Sequence, residues 1–219
     1  MKVLIACEFS GRVRDAFRSR GHKAWSCDLL KGEGLYSAYH YQDDVRNLLD
    51  KSWDLMIAHP PCTYLAVAGV KNWKLKQREQ EEALEFVRLL LAAPIPRIAL
   101  ENPVSHIASR IRMPDQVINP WQFGHIEVKR TCLWLKNLPL LVPTEVSQIR
   151  YNTFRNLPNT PYRWKIRSRT FKGIAEAMAT QWGKLTLERF DLPDKPIREY
   201  HNIMPIRKHL HKKRYIALT

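Results

Sequence analysis

Two residues carry the most direct chemistry, a cysteine and a glutamate that each follow an apolar run. In residues 53–66 (WDLMIAHPPCTYLA) the run ends in His59, Pro60, Pro61 and Cys62. Proline lacks an N–H and fixes φ, so the pair ends sheet pairing and holds the next residue rigidly. A cysteine is more often a small buried apolar residue than a nucleophile. Just past a strand's carboxyl end and near a helix start, its surroundings favour thiolate, which makes Cys62 the candidate nucleophile. Glu101 closes a second run, RIALENP. A carboxyl at that depth is expected to have a raised pKa and hold a proton, the alternative being an acid that pins a loop.

Other positions suit ligand contact. Residues 8–12 (EFSGR) form a turn in which Gly11 lets backbone approach a ligand and the following helix start offers N–H groups. A full GxGxxG is missing, since Val13 stands where a second glycine would be, so a dinucleotide site is poorly supported. Asp28 ends an apolar run where an acid can meet ribose hydroxyls, and Asp44 is placed to receive an adenine amino group. The alternative for both is a surface turn carboxylate. The four cysteines, Cys7, Cys27, Cys62 and Cys132, show no CxxC spacing and predict free thiols without a metal site.

The elements that must position these residues alternate. Residues 2–7 (KVLIAC) predict a strand, followed by a helix with Val13, Ala16 and Phe17 inward and Gly21 as its stop. Strands are predicted over 22–27 and 53–58, and a helix over 76–92 with Ala83, Leu84, Val87, Leu90 and Leu91 at helical spacing. Pro94 and Pro96 end it before a strand over 97–100. Strands alternating with helices predict an α/β fold, a mostly parallel sheet with helices on both faces, and ligands gather at the carboxyl ends of such strands. Residues 131–136 (TCLWLK) predict a further strand, and 170–182 a helix with Ile174, Ala177, Met178 and Trp182 on one face.

The chain has 219 residues, 45% of them apolar, and a net charge of +15, with a pI near 9.9. That length suits one domain with an appendage, and no apolar run approaches the ~20 residues of a membrane span. A cytoplasmic monomer is expected. The charge predicts a polyanionic partner, nucleic acid above all. It concentrates in residues 146–172, which hold seven Lys or Arg and no Asp or Glu, interleaved with Tyr151, Phe154, Tyr162, Trp164 and Phe171. Cations for phosphates and aromatic faces for bases suit unpaired nucleic acid, and point to Arg150, Arg155, Arg163, Trp164, Lys165, Arg167 and Arg169; a solvated loop with a few core aromatics is the alternative. Residues 184–219 predict an extended basic tail behind a domain of residues 1–183.

EFSG, Asp28, the DDV around Asp44, HPPC and ENP, in this order, resemble the motifs of the DNA cytosine C5 methyltransferases. IACEFSGRVRDAF, INPWQFGH, CLWLKNLPLLVPT and SRTFKGIAEAMATQWG resemble the compact phage and prophage branch, over about residues 1–183. The resemblance implies a Rossmann-like fold binding S-adenosylmethionine through Phe9, Ser10, Gly11, Asp28, Asp44 and Pro60. It implies that Cys62 attacks cytosine C6 while Glu101 contacts N3 and the amino group, on DNA whose base is flipped or unpaired. Phage origin would place the chain in a bacterial host's cytoplasm. Amino methyltransferases carry Asp, Asn or Ser before the prolines and an aromatic after them, where this chain has His59 and Cys62.

Two departures stand out. The family's QxRxR segment is here EVKRT (127–131), with Lys129 on the first arginine and Thr131 on the second, so a point charge replaces a planar fork. The stretch between TCLWLK and SRTFKG is too short for the usual target recognition domain, which implies low or short sequence specificity. The alternatives are a methyltransferase scaffold that binds DNA with little or no turnover, and cytosine methylation of a non-duplex or nucleotide substrate.

Overall fold

The computed structural model describes residues 1–67 and 76–185, the side chain of Arg155 excepted. Most of the predicted basic tail therefore lies outside the described residues. Seven strands, β1 (Lys2–Ala6), β2 (Lys23–Asp28), β3 (His40–Gln42), β4 (Leu55–Ala58), β5 (Arg97–Pro103), β6 (Gln116–Ile118) and β7 (Thr131–Lys136), form one sheet in the order β3-β2-β1-β4-β5-β7-β6. The strands from β3 to β5 in that order are parallel; β7 runs antiparallel to β5 and to β6. The helices are α1 (Arg12–Arg18), α2 (Gln77–Leu91), α3 (Ile107–Arg110), α4 (Arg163–Ser168) and α5 (Lys172–Gln181).

The central strands are apolar on both faces because both faces are covered. Leu4, Ala6, Met56, Ala58, Ile98 and Leu100 pack with Leu84, Val87 and Leu90 of α2. Their alternate neighbours Val3, Ile5, Leu55, Ile57 and Ala99 pack with Val13 and Phe17 of α1 and with Ile174, Met178 and Trp182 around α5. This is the Rossmann-like α/β fold expected, mostly parallel with helices on both faces. The predicted helix faces are those that are buried, since helical periodicity and burial report the same geometry. The short elements β3, β6, α3 and α4 had no periodic signal; at three to six residues each is too brief to display one.

Two local arrangements set up the site. Strand order reverses between β1 and β4, and a crevice outside the carboxyl ends is expected at such a switch point. The backbone of His59 closes that end of β4, donating its N–H to the Ala6 carbonyl at 2.9 Å. β5 also runs on past Leu100, where its pairing with β4 stops, and pairs Glu101 with Leu133, Asn102 with Cys132 and Pro103 with Thr131. Glu101 therefore lies within a strand rather than beyond one, and the chain entering β7 is carried past it.

Candidate active site

The HPPC segment is fastened to the end of β5 at two points, and the turn after it to the chain after β5 at a third. His59 Nδ1 lies 3.0 Å from Glu101 Oε2, Asn102 Nδ2 donates to the Pro60 carbonyl at 2.9 Å, and His106 N donates to the Leu65 carbonyl at 2.9 Å. Asn102 is almost fully buried, so this bond holds the proline loop from inside the protein. Cys62 follows the loop, and its carbonyl accepts from Leu65 N and Ala66 N in a short turn. It is the exposed one of the four cysteines; Cys27 and Cys132 are buried and Cys7 is half-buried.

Cys62, Glu101 and Lys129 come together electrostatically. Loss of surrounding water is the main influence on the Cys62 thiol and raises it, the negative charge of Glu101 raises it further, and the charges of Lys129 and Arg167 oppose this. The expected thiolate-favouring environment is thus corrected: the site as it stands holds Cys62 as a thiol, because a carboxylate and partial desolvation outweigh two cations. Glu101 reverses its expectation too. Burial is the largest influence and acts upward, but the His59 hydrogen bond and the charges of His59 and Lys129 outweigh it, holding Glu101 below its ordinary value. Sequence position alone indicated the burial; the imidazole beside it became visible only in three dimensions.

These charges make a labelling prediction. Iodoacetamide is expected to alkylate Cys62 with a pH midpoint above that of a free cysteine, near 8.5. Glu101→Gln should lower that midpoint and Arg167→Gln raise it, read by mass spectrometry of the Cys62 peptide. A midpoint unmoved by both substitutions would refute the electrostatic account.

The proposed cofactor positions lie on the β1, β2 and β4 side. Phe9 and Ser10 are buried in the turn after β1, and Pro60 is buried after β4. Asp28 is half-buried at the end of β2, accepts from Leu30 N at 3.0 Å, and is raised chiefly by burial. Gly11 has a left-handed φ of 71°, but the space its missing Cβ would take is occupied by the Arg14 guanidinium and the Glu33 carbonyl. The close approach there is made by the chain itself. The N–H groups of Val13 and Arg14 are likewise accepted by the buried Glu8 carboxylate, at 2.8 and 3.3 Å, so Glu8 caps α1 from inside the turn. Asp44 accepts from Arg46 N and pairs with the Arg46 guanidinium.

The basic and aromatic stretch divides into inward and outward residues. Glu127, 3% exposed, accepts from Thr153 N at 2.7 Å and from the Thr153 hydroxyl, pinning the stretch to the chain before β7. Lys129 Nζ donates to the Arg167 carbonyl at 2.9 Å. Arg163 donates to the carbonyls of Leu157 and Phe154, and Arg169 pairs with Glu33 at 2.6 Å, so both act within the fold. Arg150 stacks on Trp121, 3.9 Å from its ring centroid. Phe154 and Phe171 meet edge to face, whereas Tyr151, Tyr162 and Trp164 are exposed, Trp164 with its centroid 6.0 Å from that of Phe9. Phe154 and Phe171 are thus packed within the fold, while Tyr151, Tyr162 and Trp164 face solvent. A cavity of about 360 Å³ lies among Val128, Lys129, Asn152, Phe154, Arg163 and Arg167.

Sequence reasoning passed over three residues here. In the sequence His59 serves only to exclude an amino methyltransferase motif, while Asn102 and Glu8 stand unremarked inside ENP and EFSGR. HPPC and EN flanking two strand ends were the available signal for the first two. Among the described residues, no cluster of His, Cys, Asp and Glu is suited to a metal ion, and no helix is long and apolar enough to cross a membrane.

No family model and no curated protein matches the chain. Among solved structures it is similar to a protein described as a DNA modification methyltransferase encoded within an E. coli prophage, with 12% identity, a TM-score of 0.46, and coverage of 72% of this chain and 55% of that one. It is also similar to the Entamoeba histolytica methyltransferase EhMeth, with 14% identity, a TM-score of 0.41, and coverage of 72% of this chain and 60% of that one. The chain therefore spans little more than half the length of these proteins, and likenesses this distant bear on neither its activity nor its substrate.

Proposed function

We propose that the protein is an S-adenosylmethionine-dependent methyltransferase that methylates C5 of cytosine in DNA through a covalent Cys62 adduct, with low or short sequence specificity. The observation that carries this reading is the convergence of an exposed cysteine with Glu101 and Lys129 beyond the carboxyl end of β4, where β5 runs on past it. Cytosine C5 is a ring carbon without a lone pair, so it becomes nucleophilic only after a nucleophile adds at C6. Cys62 supplies the sulfur, Glu101 meets N3 and the amino group, and Lys129 offsets negative charge arising in the ring.

Phe9, Ser10, Asp28 and Pro60 would hold the cofactor, which supplies an electrophilic methyl group when bound. The fit rests on Asp28, half-buried at the switch-point side as a ribose-binding acid would be. Gly11 supports it through the turn rather than by facing the ligand. Asp44 must release or share Arg46 to receive an adenine amino group. Arg150, Lys165, Arg167 and Trp164 provide the DNA contacts; the side chain of Arg155 lies outside the described residues. Arg163 and Arg169 shape that face.

The experiment is incubation of the full chain with DNA and methyl-labelled S-adenosylmethionine, followed by nucleoside analysis. Label in 5-methylcytosine is the expected result, and label absent from cytosine across pH 6–9 would defeat the reading. A second reading, DNA binding without turnover, is favoured by the raised Cys62 thiol and the chain-filled space at Gly11. DNA retention without cofactor binding in equilibrium dialysis would select it.

A further inference from the structure

His59 has one ring nitrogen committed and one not. Nδ1 faces Glu101 Oε2 at 3.0 Å, while Nε2 is buried without a hydrogen-bond partner among the described residues. The side chain is only 8% exposed, and that of Glu101 19%. A buried imidazole so placed against a carboxylate forms a pair that holds one proton out of contact with bulk water. Glu101 Oε2 is taken by His59, and Oε1 has no hydrogen-bond partner among the described residues, which leaves that oxygen for a ring.

Building on the cytosine reading above, we propose that the His59–Glu101 pair stores the proton that cytosine N3 takes up when Cys62 attacks, with His59 as the positioning residue that keeps it. As the base engages Glu101, the proton passes from His59 Nδ1 to the carboxylate and the Cys62 thiol ionises to solvent. Its sulfur lone pair then forms the bond to C6, the C5–C6 π pair shifts to C4–C5, and the C4–N3 π pair moves onto N3. N3 takes a proton from the Glu101 carboxyl, which has received it from His59 Nδ1, and the imidazolium becomes neutral imidazole. The C4–C5 π pair then takes the methyl group as the N3 lone pair re-forms C4–N3; the C5 hydrogen leaves to solvent as a proton, its bonding pair re-forms C5–C6 as the C6–S pair returns to Cys62, and N3 returns its proton to Glu101 and His59, so the pair is unchanged over a cycle.

The groups facing His59 suit this role. Glu101 on β5, Glu8 in the turn after β1 and Asp28 at the end of β2 are acids; Lys129, before β7, is the cation. Burial, the largest influence, disfavours the charged imidazole, yet Glu101 and Glu8 outweigh it and raise His59 above its ordinary value. The same transfer acts on the nucleophile. Glu101 carries the negative charge that raises the Cys62 thiol, and a proton moved onto Glu101 removes that charge as the base arrives. Storage on His59 therefore keeps the thiol quiet until a ring engages the carboxyl.

The test is an imidazole NMR titration of the full chain, with His59 assigned by the signal lost in His59→Asn, alongside methylation kinetics. His59 is expected to titrate above an ordinary histidine, near 6.5, and to fall in Glu101→Gln. Titration at or below the ordinary value, or no change in Glu101→Gln, overturns the proposal without reference to activity. The amide of His59→Asn can still donate to Glu101 but holds no titrating proton. It should lower kcat about 10²-fold with KM for DNA unchanged, and remove the levelling of rate that wild type shows as pH rises past the His59 pKa, leaving the rise due to Cys62 ionisation alone. Methylation by His59→Asn with the wild-type pH profile overturns the relay alone. Wild type that never methylates cytosine removes the reading on which the relay rests, and the titration identifies which of the two has failed.

Discussion

Cys62→Ser is expected to lower methyl transfer to cytosine by about 10⁴-fold or more, because a serine hydroxyl is a far poorer nucleophile than a thiolate and nothing else adds to C6. DNA binding should change little, since the substitution alters one atom beside Lys129 and Arg167 without removing either charge. The companion measurement is trapping on DNA containing 5-fluorocytosine. Fluorine at C5 cannot leave as a cation, so the adduct persists, and wild type should run as a denaturation-resistant complex whose cross-link maps to Cys62. Cys62→Ser should form none. Methylation by Cys62→Ser at the wild-type rate, or a cross-link at another residue, would end the covalent mechanism proposed here. The raised thiol adds a direction: trapping should accelerate as pH rises towards the Cys62 pKa, until loss of the His59 proton opposes it.

Gly173→Ala should destabilise the fold by about 3 kcal/mol, the upper end of the usual cost of overpacking. A Cβ at Gly173 would lie 1.7 Å from the Phe123 carbonyl oxygen and 2.8 Å from its carbon, which are backbone atoms that cannot swing aside. Gly173 opens α5, its N–H donates to His125 Nε2 at 2.9 Å, and α5 packs on α1 and the sheet through Ile174, Met178 and Trp182. Moving the helix start therefore disturbs the whole of that face. Gly21→Ala is the comparison. Gly21 has φ 81° with nothing within 4 Å of the added Cβ, so only backbone strain of about 1 kcal/mol is expected. Urea midpoints at constant m-value measure both, and equal losses would contradict the packing described for α5.

Periodicity made the large elements legible. Val13, Ala16 and Phe17 of α1, Leu84, Val87 and Leu90 of α2, and Ile174, Ala177 and Met178 of α5 are buried as their spacing requires. β3 and β6 escaped because three residues carry no alternation to detect. The turn EFSGR was legible as a turn but not as a self-contained one. That Glu8 caps α1 and Arg14 fills the space beside Gly11 depends on side chains folding back onto a backbone whose path is set by β2 and Glu33.

By itself, the sequence determined the alternation of strands and helices, and with it the carboxyl edge to which HPPC and ENP are delivered. It also determined which residue types stand there, since a thiol, a carboxyl and a lysine are covalent facts. Tertiary structure alone decided which way the thiol and the carboxyl are shifted. The His59 imidazole reaches Glu101 across 42 residues of chain, and the antiparallel entry of β7 carries Lys129 and, through it, Arg167 to the same edge. Protonation depends on the distance and dielectric between groups remote in sequence, which is why depth in an apolar run predicted a raised Glu101 and the place after a strand end and two prolines predicted a ready Cys62 thiolate, whereas in the folded chain His59 and Lys129 lower Glu101, and burial with Glu101 raises the Cys62 thiol.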